Sequence, residues 1–213
     1  GFADRAVVLA AWLQRPGHVA VLDVARHVTA VSLVVNDGAS VALRRTVRLP
    51  GGESALHDAW LNLAAATLVQ QTRFDPLHDQ RYEAQLRQLL PGLAAAAQRS
   101  GQGSCTIDTG SAELSLTLAR DQLADAASAW LAPLTAALQA LSAATEDCAL
   151  LVPESALDIP GLADVLVAAR FSATLSFVDG APANAASLLP AAAATTTAPV
   201  QSLTRVPLLP THV

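Results

Sequence analysis

The residues of this chain that could do chemistry fall in a few short runs, and most of them fail on spacing. His57-Asp58 sets an imidazole beside a carboxylate. Adjacent residues lie on different faces of a helix, however, and no Ser or Cys is placed as their nucleophile. His78-Asp79 opens a helix and reads as a cap region. Ser100-Gly101-Gln102-Gly103-Ser104 links a helix to a strand, the reverse of the order a phosphate-binding loop needs. Neither GxxxxGK[ST] nor GxGxxG occurs. Cys105 and Cys148 have no CxxC or Cys–His neighbour, so they read as buried thiols rather than as a disulfide or a metal site. Two runs remain, Asp23-Val24-Ala25-Arg26-His27-Val28 and Gly51-Gly52-Glu53. In the first, Arg26 and His27 could face an anion by charge, although two solvent-facing polar residues in a turn is the plainer reading. In the second, the glycine pair suits a backbone crossing into a helix start, where Glu53 meets the positive end of the helix dipole.

Residues 18–53 are the elements that must hold both runs. His18–Asp23 is an apolar run ending in a carboxylate, Val28–Val35 is rich in β-branched residues, and Ser40–Leu49 interleaves polar side chains. Asn36-Asp37-Gly38 joins the second and third runs, a strong hairpin signal between apolar stretches. The stretch therefore predicts a three-strand meander that exits through Gly51-Gly52 into a helix.

The rest of the chain supplies helices and four further strands, two of them in a second hairpin. Phe2–Gln14 has helical apolar spacing at Val7, Val8, Ala11 and Trp12 and stops at Arg15-Pro16-Gly17. In Ser54–Thr72, Leu56, Trp60, Leu63, Ala64, Thr67 and Leu68 recur at three- and four-residue steps, which predicts an amphipathic helix. A second helix is expected over His78–Arg99, kinked or split at Pro91-Gly92. Ser104–Asp108 and Glu113–Leu118 flank Thr109-Gly110-Ser111 as a second hairpin. Arg120–Ala143 reads as two helices meeting at Pro133. Cys148–Val152 suits a strand buried on both faces. A helix over Ile159–Arg170, a strand over Ala173–Val178 and an Ala-rich helix over Ala183–Ala194 follow, then a tail.

This order predicts a mixed α/β protein: a leading helix over 1–17, an α/β core over 18–50 and 144–194, an inserted helical subdomain with a small hairpin over 51–143, and a tail over 195–213. With 213 residues, 52% hydrophobic and 15% charged, the chain is expected to fold into a globular unit. The net charge of −5 gives no field that would draw nucleic acid or an anionic membrane. All 13 basic residues are Arg, which together with the abundant Ala reads as coding bias. No run is apolar enough to span a bilayer. The chain has no Met, which predicts a fragment of something longer.

The order of elements, with these residues, resembles the second lobe of the actin-like ATPase domain of DnaK-type heat-shock chaperones. The family's D-L-G-G-G-T is matched by Asp23-Val24-Ala25-Arg26-His27-Val28, and its D-V-S by Ala30-Val31-Ser32. Its L-G-G-E-D-F-D is matched by Leu49-Pro50-Gly51-Gly52-Glu53-Ser54-Ala55. The second hairpin and the helix after it look like the family's short sheet and T-R-x-x-F helix. LLVPESALDIPGLADVL is similar to the family's L-V-G-G-S-S-R-I-P-x-V segment, with Ile159-Pro160 matching. The resemblance runs from the leading helix to about residue 194. It implies an actin-like, ribonuclease H-like lobe and a vestigial nucleotide site at Asp23, Arg26, His27, Gly51, Gly52 and Glu53, with Asp23 the candidate to hold a metal-bound water.

The departures from the family fall on the nucleotide contacts. Ala25, Arg26, His27 and Val28 replace the glycines and Thr that admit phosphate to the backbone. Pro153-Glu154-Ser155 replaces a Gly-Gly-Ser, removing a donor and adding a charge that repels phosphate. The family's Glu and Lys that clasp adenosine fall near Pro91 and Ala94. The expectation is therefore a degenerate lobe without ATP hydrolysis and with no cofactor of its own, serving as a scaffold or interaction module. ATP or ADP with Mg in the full-length protein is the alternative, as is an actin-like subunit of a pilus or secretion assembly. The implied partners are the missing first lobe, protein clients or co-chaperones, and other copies of the chain through exposed apolar surface. The implied compartment is the cytoplasm.

Overall fold

A computed structural model describes residues 4–13, 15–110, 112–177 and 205–207. Its order is helix α1 (Arg5–Leu13), strands β1 (Gly17–Val24), β2 (Val28–Asn36) and β3 (Ser40–Pro50), then α2 (Glu53–Thr72), a short 3-10 turn (Pro76–His78) and α3 (Gln80–Ser100). The hairpin β4 (Gln102–Asp108) and β5 (Glu113–Ala119) leads into α4 (Arg120–Ala126) and α5 (Ser128–Ala143). β6 (Cys148–Pro153), α6 (Glu154–Leu157), α7 (Leu162–Ala169), β7 (Ala173–Phe177) and β8 (Arg205–Pro207) complete it.

Six strands form one mixed sheet in the order β7-β6-β1-β2-β3-β8, and β4-β5 stands apart as a two-stranded sheet. β1, β2 and β3 are antiparallel neighbours, whereas β6 runs parallel to β1 and β7 parallel to β6. The expected mixed α/β sheet, in which the meander and the late strands lie side by side, is thus present. The hairpin of β2 and β3 closes at Asp37, whose N–H donates to the Ser40 carbonyl at 3.1 Å, with Gly38 at φ +84°.

Alternation along β1 explains how one sheet carries two cores. Ala20 and Leu22 face a large cluster built with α2, α3, α4, α5 and α7, which also takes Val31, Leu150 and Val152 from the sheet. Val19 and Val21 face the other side, where α1 packs with Val7, Leu9 and Ala10. Both faces of the sheet's centre are therefore covered, and β6 is buried at all six positions. Trp12, counted with the apolar spacing of the leading helix, is 42% exposed.

Neither proline splits its helix. α3 runs unbroken from Gln80 to Ser100 through Pro91, and α5 runs through Pro133. The break between α4 and α5 falls at Ala127 instead. A proline removes the hydrogen bond to the carbonyl four residues earlier, and solvent can satisfy that carbonyl when the face is exposed. Pro91 and Gly92 are exposed, while Leu90, Leu93, Ala94 and Ala97 of the same helix stay buried in the core. A smaller correction concerns 100–103: only Gly101, at φ +85°, separates α3 from β4. The helix expected over 183–194 lies outside the described residues, as does most of the tail. Within the tail, Arg205–Pro207 pairs antiparallel with Ser40–Ala42.

Candidate functional site

β1 and β6 lie side by side and parallel, and the crevice beyond the carboxyl ends of parallel strands is where open α/β sheets take ligands. A cleft of about 290 Å³ opens there. Val24 at the end of β1 forms its base, α2 contributes Glu53, Leu56, His57 and Trp60, and α3 contributes Pro91, Ala94 and Ala95. Ser155 and Ala156 of α6, with Asp158 and Ile159 after it, close the far side.

The first wall is built by a close crossing of two loops. The turn after β1 closes on itself, the Ala25 N–H donating to the Val28 carbonyl at 3.0 Å. The start of α2 then docks on that turn. Glu53 N–H donates to the Ala25 carbonyl at 3.1 Å and Ser54 N–H to the Arg26 carbonyl at 2.9 Å. The first amides of a helix have no partners inside the helix, so they must find acceptors elsewhere. Here the turn supplies them. Glycine is required at the crossing: a Cβ on Gly52 would overlap the Ala25 carbonyl oxygen and come within 2.8 Å of the Val28 nitrogen. Gly51 beside it sits at φ +80°, in the left-handed region.

A buried polar chain fixes the same corner from inside the core. The Trp130 indole Nε1–H donates to Thr29 Oγ1 at 3.0 Å, and Thr29 Oγ1–H donates to the Gly51 carbonyl at 3.0 Å. Thr29 is fully buried, so each of these groups depends on the others for its hydrogen bond. Trp60 is held likewise, its Nε1–H donating to the Leu123 carbonyl at 3.0 Å, while its ring lies 5.8 Å from that of His57.

The structure brings Gly51, Gly52 and Glu53 against the turn that carries Arg26 and His27, but it does not gather all six residues at the cleft. Arg26 and His27 are exposed at the tip of the turn. Asp23 points to the α1 side of the sheet, opposite to Val24, and its Oδ1 pairs with Arg5 Nη1 at 2.7 Å. Glu53 alone of the six lines the cleft. Pro91, Ala94 and Ser155 also line it, so positions expected at a nucleotide are cleft walls, though two of the three carry no hydrogen-bonding side chain.

Leu56, His57, Trp60, Asp158 and Ile159 were missed as cleft residues. For the three on α2 the signal is the helical spacing of 53, 56, 57 and 60, which sets those four side chains on one face of the helix. Asp158 is paired with Arg99 Nη1 at 3.0 Å. Neither thiol is activated, since burial pushes both Cys105 and Cys148 upward from the usual thiol range. Among the described residues no group of three His, Cys, Asp or Glu is placed to hold a metal ion, and no helix is long and apolar enough to cross a membrane. Comparison with models of known families and with curated proteins found no match.

Proposed function

We propose that the chain is one lobe of an actin-like ATPase fold, of the kind that forms the second lobe in DnaK-type heat-shock chaperones. In this reading its nucleotide-binding elements have been replaced, and it serves as a scaffold or interaction module without hydrolysing ATP. The fold part is supported by a three-strand antiparallel meander flanked by two parallel strands, with helices and a small hairpin entering the chain between them. The loss of nucleotide chemistry is supported by one observation above the others. The amides that open α2, which phosphate would need, already donate to the carbonyls of Ala25 and Arg26. The cleft beside them offers no Lys or Arg among its lining residues, and the Glu53 carboxylate would repel an anion there.

The working surroundings follow from the same reading: a cytoplasmic protein whose partners are a first lobe, protein clients or co-chaperones, or further copies of the chain. Calorimetry of the full-length protein with Mg-ATP and Mg-ADP, beside a thermal shift assay, tests it. The scaffold reading expects neither heat nor a change in Tm. Binding at micromolar affinity or tighter would instead support an ATP-binding lobe completed by its partner lobe, a reading that the position of the cleft at the strand ends favours. Filament formation in place of either result would favour an actin-like subunit of a pilus or secretion assembly.

A further inference from the structure

The same cleft has a chemical character of its own, and that character is opposite to what a nucleotide needs. Its body is apolar, formed by Val24, Leu56, Trp60, Ala94 and Ile159. The charged groups on its wall are carboxylates, and they are not equivalent. Asp158 is neutralised by Arg99 at 3.0 Å. Glu53 is exposed and has no salt-bridge partner among the described residues. The positive end of α2 behind it is already answered by the carbonyls of Ala25 and Arg26, so it does not compete for an incoming charge. One free carboxylate at the mouth of an apolar cleft recognises a cation on an apolar body. A bare metal ion is poorly served, because no cluster of three ligands exists among the described residues.

We propose that the cleft binds a small apolar amine, with the protonated nitrogen against the Glu53 carboxylate and the hydrocarbon part against Leu56, Trp60, Ala94 and Ile159. The volume of about 290 Å³ stands at the small end of ligand pockets and suits a one-ring body rather than a nucleotide. The inference rests on the proposal that the site has lost its nucleotide function, and it names what the remodelled site takes instead.

Benzylamine and its neutral counterpart benzyl alcohol are the probes, titrated into the full chain at pH 7 and followed by the NMR signals of the Trp60 indole and the Ala95 amide. Benzylamine is expected to give saturable shifts at both, binding about two- to fivefold more tightly than the alcohol, as an exposed ion pair provides. Glu53→Gln should erase that difference while the Trp60 indole signal keeps its native position, and Ala95→Trp should abolish binding of both probes by filling the cleft. Equal affinity for the two probes, no saturation by benzylamine in the millimolar range, or binding that survives Ala95→Trp overturns the proposal. A parallel Mg-ATP titration separates the two ideas. ATP that displaces benzylamine refutes the scaffold reading, whereas inert ATP together with an amine no better than the alcohol refutes the amine assignment alone.

Discussion

Replacing Gly52 by Ala tests the corner on which the site is built. The added methyl would overlap the Ala25 carbonyl oxygen, which is backbone and cannot rotate away, and would crowd the Val28 nitrogen at 2.8 Å. Relief requires the turn and the helix start to separate. That movement breaks the bonds from Glu53 N–H to Ala25 O and from Ser54 N–H to Arg26 O. Two hydrogen bonds contribute about 1–3 kcal/mol together, and the strain left on the Thr29–Gly51 contact raises the expected loss to about 2–4 kcal/mol. With a urea slope of about 2 kcal/mol per molar, the midpoint should fall by about 1–2 M at an unchanged slope. Gly92→Ala is the control. Gly92 lies exposed within α3 with nothing near its missing Cβ, so that variant should gain about 0.5–1 kcal/mol. A Gly52→Ala midpoint equal to that of the unaltered protein would refute the close crossing.

Trp60→Ala should cost about 3–5 kcal/mol in chemical denaturation, because a 3% exposed ring is removed and the Leu123 carbonyl loses its donor. Thr29→Val should cost about 1–3 kcal/mol, and Trp130→Phe less when Thr29 is already Val; purely additive losses would mean the indole and the hydroxyl are not coupled. Burial raises Cys105 and Cys148 above the ordinary thiol value of 9.0, so the folded state keeps protons that the unfolded state releases. Their stabilisation is therefore complete below that value and declines as pH rises past it, a slope that Cys148→Ala should flatten in denaturation curves taken above pH 9.0.

The strands were legible because each left a period-two or β-branched signature. Val19 and Val21 against Ala20 and Leu22 wrote both faces of β1 into the sequence, and Asp37-Gly38 marked the hairpin of β2 and β3. The prolines split neither helix, because their effect depends on which face they occupy. Pro91 points to solvent, where the carbonyl it frees can be hydrated, and sequence alone does not say so. The cleft was half legible. Its glycine crossing and its positions on α3 followed from spacing and resemblance, but the direction of Asp23 did not. A strand-end carboxylate faces whichever side its place in the alternation sets, and that side belongs to Arg5. The wall formed by α2 was written in the spacing from Glu53 to Trp60 and passed over because His57 and Asp58 were weighed only as a pair.

The account stands most directly on the two amides that open α2. Mg-ATP titrated into nitrogen-labelled full-length protein should leave the Glu53 and Ser54 amide signals where they are, since both hydrogens are committed to the turn after β1. Saturable shifts at both amides would show that they remain free to hold a phosphate, and would contradict it.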